Sequence, residues 1–187
     1  MLKEWVLKSR SYRRFDENES IDLAVLKELV DLARFCPSAN NRQPLKYILS
    51  NTVERNEKIF PTIVWAELLR GQATPKIGER PSAYIVILGD NAIKKEVRWD
   101  DGIVAQTMML GAVEKELGGC MIGAINKNLL REKLDISPQY EILLILALGK
   151  PKETIVLEVM KNQDSRYWRD ENNVHHVPKR TLDEIIL

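Results

Sequence analysis

The most apolar stretch of this 187-residue chain is Glu141-Ile-Leu-Leu-Ile-Leu-Ala-Leu148, which lies between Pro138 and Gly149. A short apolar run between turn residues predicts a buried strand. The run is far shorter than the roughly 20 apolar residues that cross a membrane. The sequence therefore places this strand in the core of a globular domain.

Helices and further strands are predicted on both sides of this stretch in the sequence. Strands are expected at residues 45–49, 83–88 and 119–124, where apolar residues dominate. Helices are expected at residues 2–8, 22–36, 54–71 (interrupted at Pro61), 100–117 and 126–134. Trp65, Leu68 and Leu69 are the predicted buried face of the third helical segment, and Gly118 is the predicted stop of the fourth helix.

Composition limits the possible functions. With 44% apolar residues, residues 1–187 are long enough for one core, and the length favours a single domain. The formal net charge is +1, so no global field indicates nucleic acid or an anionic membrane as partner. The N-terminus has no apolar signal-peptide centre, and Cys36 and Cys120 are isolated, so we expect reduced thiols and a cytoplasmic location.

The loop Pro37-Ser-Ala-Asn-Asn-Arg-Gln-Pro44 is too polar for the core. Its prolines prevent a regular helix or ladder, while its side chains supply hydroxyl, amide and guanidinium groups. Asn and Gln each offer a donor and an acceptor, which suits a flat heterocycle with carbonyl and N–H groups. The alternative is an ordinary helix-to-strand connection, since turns are made of the same residue types.

A second polar cluster, Ser9-Arg-Ser-Tyr-Arg-Arg-Phe15, carries three arginines within five positions. The planar guanidinium suits phosphate, and a serine hydroxyl can bond to the same oxygens. The alternative is a solvated basic turn. This cluster alone does not decide between a phosphate site and a basic turn.

Two regions indicate a partner subunit. The helix at residues 100–117 is apolar on most sides, so it needs cover from more than one direction. Residues 161–180 are nearly devoid of aliphatic side chains, and we expect this tail to lie over a neighbour rather than fold on its own. His175 and His176 are expected on the surface, and no metal site is expected, because adjacent residues diverge and no third ligand is suitably spaced.

Four segments resemble, in collinear order, the nitroreductase family of flavin mononucleotide (FMN) enzymes. Arg10-Ser-Tyr-Arg-Arg-Phe15 is similar to the family's Arg-Ser-x-Arg-x-Phe, and the loop from Pro37 to Pro44 to its Pro-Ser-x-x-Asn-x-Gln-Pro. Residues 101–124 look like its central helix and the glycine strand after it. Val177-Pro-Lys-Arg180 is similar to its basic C-terminal segment.

The resemblance implies an α+β fold, in which helices flank an antiparallel-dominated central sheet. It also implies an intertwined homodimer with two FMN sites at the interface. The 187 residues would form one FMN-binding domain, whose C-terminal extension from about residue 150 wraps the partner subunit.

Carried over position by position, the resemblance implies FMN contacts from both subunits. Arg10 and Ser11 would lie near the phosphate and Arg13 near the pyrimidine edge of the ring, while Lys179 and Arg180 would add phosphate contacts. From the opposite subunit would come Pro37, Ser38, Ala39, Asn40, Asn41 and Gln43. Beside the ring would lie Met121, Ile122, Gly123 and Ala124.

The family's chemistry requires no catalytic side chain, because the flavin carries two electrons from NADH or NADPH to a nitroaromatic, quinone or similar conjugated acceptor. Alternating use of one open site implies ping-pong kinetics. The sequence has Gly123-Ala124 where larger members place a Glu before the glycine. An enoyl or halogenated acceptor, another donor, and a flavin-binding protein without turnover therefore stay open as alternatives.

Overall fold

The computed structural model describes residues 1–66 and 74–187 and confirms the mixture of helices and antiparallel strands. The α-helices of the described residues are α1 (Leu2–Lys8), α2 (Leu23–Ala33), α3 (Val53–Ile59), α4 (Asp100–Glu114) and α5 (Lys127–Leu134). The strands are β1 (Phe15–Asp16), β2 (Leu45–Ser50), β3 (Ala83–Asp90), β4 (Gly118–Ile122), β5 (Tyr140–Pro151), β6 (Ile155–Val159), β7 (Trp168–Arg169) and β8 (His175–Lys179). Short 3-10 helices occur at Ala39–Asn41 and Phe60–Thr62.

Strand β5 organises the main sheet. It pairs antiparallel with β1, β3 and β4, and β3 pairs antiparallel with β2. The apolar run at residues 141–148 forms most of β5, and residues 83–88 form most of β3. The predicted α+β class with an antiparallel sheet is therefore confirmed.

Helices cover both faces of the main sheet. β3 is buried at every position, and its residues alternate between two apolar clusters. Tyr84 and Val86 face the side that carries α3 and α5, whereas Ile85 and Ile87 face α2 and α4. This alternation follows from the twofold side-chain period of a strand, and it produces a core on each side of one sheet.

Helix α4 packs closely on α2. A Cβ at Gly111 would lie 2.7 Å from Leu32 Cδ1 and 3.0 Å from Leu29 Cδ2, so a larger residue there would displace these leucine side chains. The helix ends at Glu114, because Glu116 adopts the left-handed backbone region with a φ of 56°. The predicted helix stop at Gly118 is therefore wrong, and Gly118 is instead the first residue of β4.

The C-terminal region forms a second sheet, which we call the tail sheet. β8 lies in its middle, parallel to β6 and antiparallel to β7. Residues 161–180, which were expected to lie over a neighbour, contribute β7 and β8 to this sheet, and β8 pairs along its length with β6 from residues 155–159. The expectation that His175 lies on the surface is wrong, since its side chain is 1% exposed.

The segment after α3 is described as far as residue 66. Pro61 lies in the 3-10 helix Phe60–Thr62, and Trp65 is buried as predicted. The helix predicted to continue to residue 71 is wrong at residues 63–66, which are not helical, and Ile63 forms a β-bridge with Ile125 instead. The predicted buried residues Leu68 and Leu69 lie outside the described residues. Within the described ranges, every helix is too short or too polar to cross a bilayer.

Candidate functional site

A cavity of about 310 Å³ lies between the N-terminal segment, α4, β4 and the tail sheet, and we call it the arginine cavity. It is lined by Ser9, Arg10, Ser11, Arg13, Gln106, Met109, Met121, Ile155, Tyr167, His175, Val177 and Lys179. Residues that the sequence analysis assigned to one ligand from three distant segments thus meet here. These are Arg10, Ser11, Arg13, Met121 and Lys179.

The N-terminal segment lies directly against the start of β4, at Gly118 and Gly119. The Tyr12 backbone N–H donates to the Gly119 carbonyl at 2.9 Å, and Ser11 forms a parallel β-bridge with Gly119. A Cβ at Gly118 would lie 2.5 Å from Tyr12 Cδ2, and one at Gly119 would lie 2.6 Å from the Ala147 carbonyl oxygen. Protein atoms therefore fill the space beside Gly118 and Gly119.

Glu153, in the turn between β5 and β6, ties the N-terminal segment to the tail sheet. Its side chain is 1% exposed. One carboxylate oxygen accepts from the backbone N–H groups of Arg13 and Arg14, and the other accepts from Arg169 Nη2 at 2.5 Å. Because a buried carboxylate is costly unless its oxygens are paired, this cluster fixes the backbone of Arg13 against the tail sheet.

His175 lies beside Glu153, and its Nδ1 is 3.8 Å from a carboxylate oxygen of that residue. Tyr167 meets the imidazole edge-on with the ring centres 5.4 Å apart, and the Arg13 guanidinium lies 5.2 Å from the centre of the Tyr167 ring. Burial, followed by the charges of Arg13 and Arg169, lowers the pKa of His175 to about 4. The imidazole is therefore neutral at pH 7.

Of the predicted ring-side and tail residues, Met121 and Lys179 line the cavity, whereas the others do not. Ile122 points to the opposite face of the sheet and is buried among the residues packed on α3 and α5. Gly123 and Ala124 follow the end of β4 and are exposed. Arg180 points away from the cavity, since its Nη1 donates to Gln163 Oε1 at 3.2 Å and lies 3.8 Å from the Glu184 carboxylate.

The polar loop at residues 37–43 borders a different pocket of about 160 Å³, which we call the loop pocket. The Ser38 hydroxyl donates to the Asp100 carboxylate at 2.6 Å and accepts from the Gln43 backbone N–H at 2.9 Å. Asp100 is buried at the first turn of α4, where the helix dipole favours a negative charge. It therefore anchors the loop to α4, a role that the sequence analysis missed.

The backbone of this loop is strained. Asn40, Asn41 and Gln43 have φ values of 54°, 53° and 50°, in the left-handed region. Asn tolerates this region better than Gln, and Gln43 Nε2 is held by a 2.9 Å hydrogen bond to Asn41 Oδ1. Ala39, Asn40, Asn41 and Gln43 are exposed. Stored strain of this kind clusters at functional sites, and here it presents amide groups at the surface.

The arginine cavity and the loop pocket share no lining residue. Both touch α4, the cavity through Gln106 and Met109 and the loop pocket through Asp100 and Val104. The two predicted halves of the site therefore lie at separate places along one helix. Pro37, Ser38 and Gln43 line the loop pocket.

Apart from Lys179, the tail-sheet side of the cavity was not predicted from the sequence. Tyr167 and His175 line it, and Glu153 and Arg169 support it. One signal was present in the sequence: alternate residues of a strand share a face, so residue 175 faces the same way as residue 179. No sequence pattern indicated a role for Glu153, because that role depends on contacts between distant segments.

Comparisons with known proteins agree on one family. The model of the nitroreductase family matches residues 6–150. The Bacillus subtilis (strain 168) protein named "Putative NAD(P)H nitroreductase YodC" is 26% identical, in an alignment that covers 78% of this chain and 87% of that protein.

Solved structures share the fold. The enone reductase CLA-ER, of gut-bacterial fatty acid saturation metabolism, is similar with a TM-score of 0.71 and 18% identity, over 87% of this chain and 93% of that one. A protein of Exiguobacterium sibiricum 255-15, crystallised in complex with FMN, is similar with a TM-score of 0.69 and 19% identity, over 82% and 89% of the two chains. The matched residues 6–150 include both polar motifs and the main sheet, and this chain belongs to the nitroreductase family.

Proposed function

We propose that this chain is an FMN-dependent oxidoreductase that passes two electrons from NADH or NADPH, through the bound flavin, to a nitroaromatic, quinone or similar conjugated acceptor. The observation that carries the proposal is the convergence of Arg10, Ser11, Arg13 and Lys179 on one cavity in a nitroreductase-family fold. The cavity combines cationic side chains with apolar walls, a combination that suits a phosphorylated aromatic compound.

The residues of the arginine cavity fit FMN in size and chemistry. Its volume of about 310 Å³ lies at the lower end of the range of small-molecule pockets, about 300–1,000 Å³. Met109 and Met121 offer apolar, adaptable surface for a flat ring. Arg10 Nε and both ring nitrogens of His175 are buried without hydrogen-bond partners in the described part of the chain, so a polar ligand would satisfy them.

We assign Arg10, Ser11 and Lys179 to the phosphate, because cations and a hydroxyl make charge-assisted bonds to its oxygens. Arg13 is assigned to the pyrimidine edge of the ring. When bound, the flavin supplies the two-electron chemistry. A cation held at this edge stabilises the negative charge that develops on reduction, and the bonds from Glu153 to the Arg13 backbone keep that cation in place.

We place the other half of each site on a partner subunit. The loop pocket and the arginine cavity share no lining residue, so loop amides that bond to the ring would have to come from a second copy. Exposed apolar side chains on α1 and after β8 provide surface that such an interface would bury. They are Leu2, Val6, Leu7, Leu182, Ile185 and Ile186. The residues after β8 are then the part of the C-terminal extension that wraps the partner.

The chain's own residues have few roles in the proposed reaction. They bind the phosphate, orient the ring and leave one ring face open for the nicotinamide and then for the acceptor, which leads to ping-pong kinetics. We assign no side chain as the general acid. Since an enone reductase shares the fold, an enone is the first alternative acceptor to compare with a nitroaromatic and a quinone.

An absorbance spectrum of the purified protein, followed by anaerobic addition of NADH or NADPH, tests the proposal. We expect a flavin spectrum that bleaches with at least one nicotinamide and returns with a nitroaromatic or a quinone. Protein that stays colourless after incubation with FMN would refute the cofactor. Bound FMN that neither nicotinamide reduces would support a binding protein without turnover instead.

Two substitutions test the residue assignments. Arg10→Ala should weaken FMN affinity, and Arg13→Ala should lower the flavin potential while its backbone bond to Glu153 persists. Arg55→Ala is the matched control, because Arg55 is exposed on α3 and lines neither the arginine cavity nor the loop pocket. If Arg10→Ala and Arg13→Ala both behave like Arg55→Ala, the assignments are wrong.

Sedimentation of the FMN-loaded protein tests the shared site. We expect a dimer, because neither copy alone brings the loop amides to the arginine cavity. An FMN-loaded monomer with full affinity would contradict this arrangement.

A further inference from the structure

Strand β8 presents one face to the arginine cavity. His175, Val177 and Lys179 line the cavity, whereas His176 faces the other way and stacks on Trp168 with the ring centres 4.1 Å apart. At about 3.3 Å per residue, the row from His175 to Lys179 is roughly 13 Å long. An elongated ligand that reaches Lys179 with its phosphate therefore reaches His175 with its other end.

The imidazole of His175 lacks a hydrogen bond. Neither ring nitrogen has a partner within the described part of the chain, although the side chain is 1% exposed. The nearest carboxylate, that of Glu153, is 3.8 Å away and already accepts from Arg13, Arg14 and Arg169. Buried polar groups are nearly always bonded, and His175 lines the cavity, so a bound ligand is its natural partner.

The charges around His175 are mostly positive. The N-terminal segment contributes Arg13 and Arg14, and β7 contributes Arg169. The β5–β6 turn contributes the carboxylate of Glu153, and β8 itself contributes His176. The phenol of Tyr167, from the segment before β7, also faces the imidazole. Three guanidinium groups face one carboxylate, so this field and burial disfavour the imidazolium. A negative charge on a ligand beside His175 would reverse the balance and favour protonation.

We propose that His175 hydrogen-bonds to the bound flavin at the end of the cavity that Arg13 forms, and that it holds a proton while the flavin is reduced. This inference rests on the proposed function, which supplies the negative charge. NAD(P)H gives two electrons and one proton to the ring and leaves one negative charge there; a second proton, taken from solvent, binds to His175. An acceptor that takes two electrons and two protons returns both groups to their starting states.

The pH dependence of the flavin midpoint potential counts these protons. In a two-electron couple, each proton taken up contributes about 30 mV per pH unit, because a tenfold change in an equilibrium constant corresponds to 29.6 mV. The FMN-loaded wild type should show a slope of about 60 mV per pH unit between pH 6 and 8. His175→Asn should show about 30 mV per pH unit, measured by anaerobic reduction against reference dyes.

His176→Asn is the matched control, since it makes the same chemical change on the same strand but on the opposite face. It should keep the wild-type slope. His175→Asn should also bind FMN about 2- to 10-fold more weakly, as expected for one lost hydrogen bond. Equal slopes in the wild type and His175→Asn, or a slope that falls equally in both variants, would overturn the proposal.

A second measurement uses the unchanged chain and does not depend on the folding of a variant. The chain has two histidines, so the nitrogen NMR signals of their imidazoles can be assigned with one substitution. At pH 7, the His175 signals should change from the neutral to the protonated pattern on reduction, while those of His176 stay the same.

A His175 that stays neutral in the reduced protein would overturn the inference alone, because FMN would still be bound and reduced. Protein that binds no FMN, or FMN that no nicotinamide reduces, would refute the proposed function and remove the source of the charge. The two failures are therefore distinguishable.

Discussion

The main sheet and the tail sheet bury their residues by different means. In the main sheet, β3 buries a run of mostly apolar side chains between two clusters. In the tail region the charged or titratable side chains of Glu153, Arg169 and His175 are buried, with 1%, 2% and 1% of each exposed. The first region is stabilised by removal of apolar surface from water, whereas in the second the pairing of buried charges holds the groups in one geometry.

The two kinds of burial differ in how precisely they position atoms. Apolar packing accepts many residue combinations, whereas the Glu153 carboxylate demands donors at defined positions and so fixes the Arg13 backbone beside the cavity. Buried ion pairs add little net stability, but they hold groups in one geometry. The tail region therefore fixes the backbone beside the arginine cavity, while the main sheet supplies most of the apolar burial.

Glu153→Ala is the most severe test of this contrast. It leaves the buried Arg169 guanidinium without its carboxylate and should cost about 3–5 kcal/mol of stability. Urea unfolding measures the total. Hydrogen exchange should place the loss in β6 and β8, with the amides of β3 little affected.

Glu158→Ala is its control, because Glu158 lies in the same sheet but is 38% exposed. It should cost less than about 1 kcal/mol. If both variants lose the same stability, the buried cluster has no special role in the tail sheet.

Leu146→Ala removes apolar burial from the main sheet and leaves the buried charges of the tail region in place. Leu146 is fully buried on β5, and its truncation should cost about 3 kcal/mol through lost burial and a new cavity. Because β5 lies at the centre of the sheet, hydrogen exchange should rise in both sheets. Val53→Ala, at a 70% exposed position, is the control and should change stability little. A loss confined to the main sheet would show that the tail sheet is stable without it.

The same contrast explains how much the sequence could predict. Strands β2 to β5 of the main sheet and the starting positions of the helices followed from apolar runs and spacing, since those patterns are local. Arg10, Arg13 and Lys179 followed from short motifs. The tail sheet did not, because Glu153 is one of 27 acidic residues and its burial depends on Arg13, Arg14 and Arg169 from two distant segments. Asp100 was missed for the same reason, as it acts on Ser38 across the fold.

Acid should weaken the protein partly through His175. Its folded pKa is about 4 against an ordinary value of 6.5, so the unfolded chain binds more protons at this residue between these values. Stability should therefore fall as the pH drops from about 6.5 to 4, by about 2 kcal/mol once solvent screening is allowed for. Urea unfolding of the flavin-free protein and of His175→Asn measures this, and identical pH dependence in both would contradict it.

The smallest expected effect comes from an exposed ion pair, which shows how much charge pairing contributes to stability without burial. Lys150 and Glu116 pair at 3.2 Å, with side chains 46% and 84% exposed. Water already solvates both groups, so Lys150→Ala should cost about 0.2–1 kcal/mol, and salt should reduce even that. Arg169→Ala breaks an equally simple pair of charges, yet it strands a carboxylate whose other oxygen orders the Arg13 backbone. Urea unfolding of both variants at low and high salt should therefore give a several-fold larger, salt-insensitive loss for Arg169→Ala, and equal losses would mean that burial does not set the strength of these pairs.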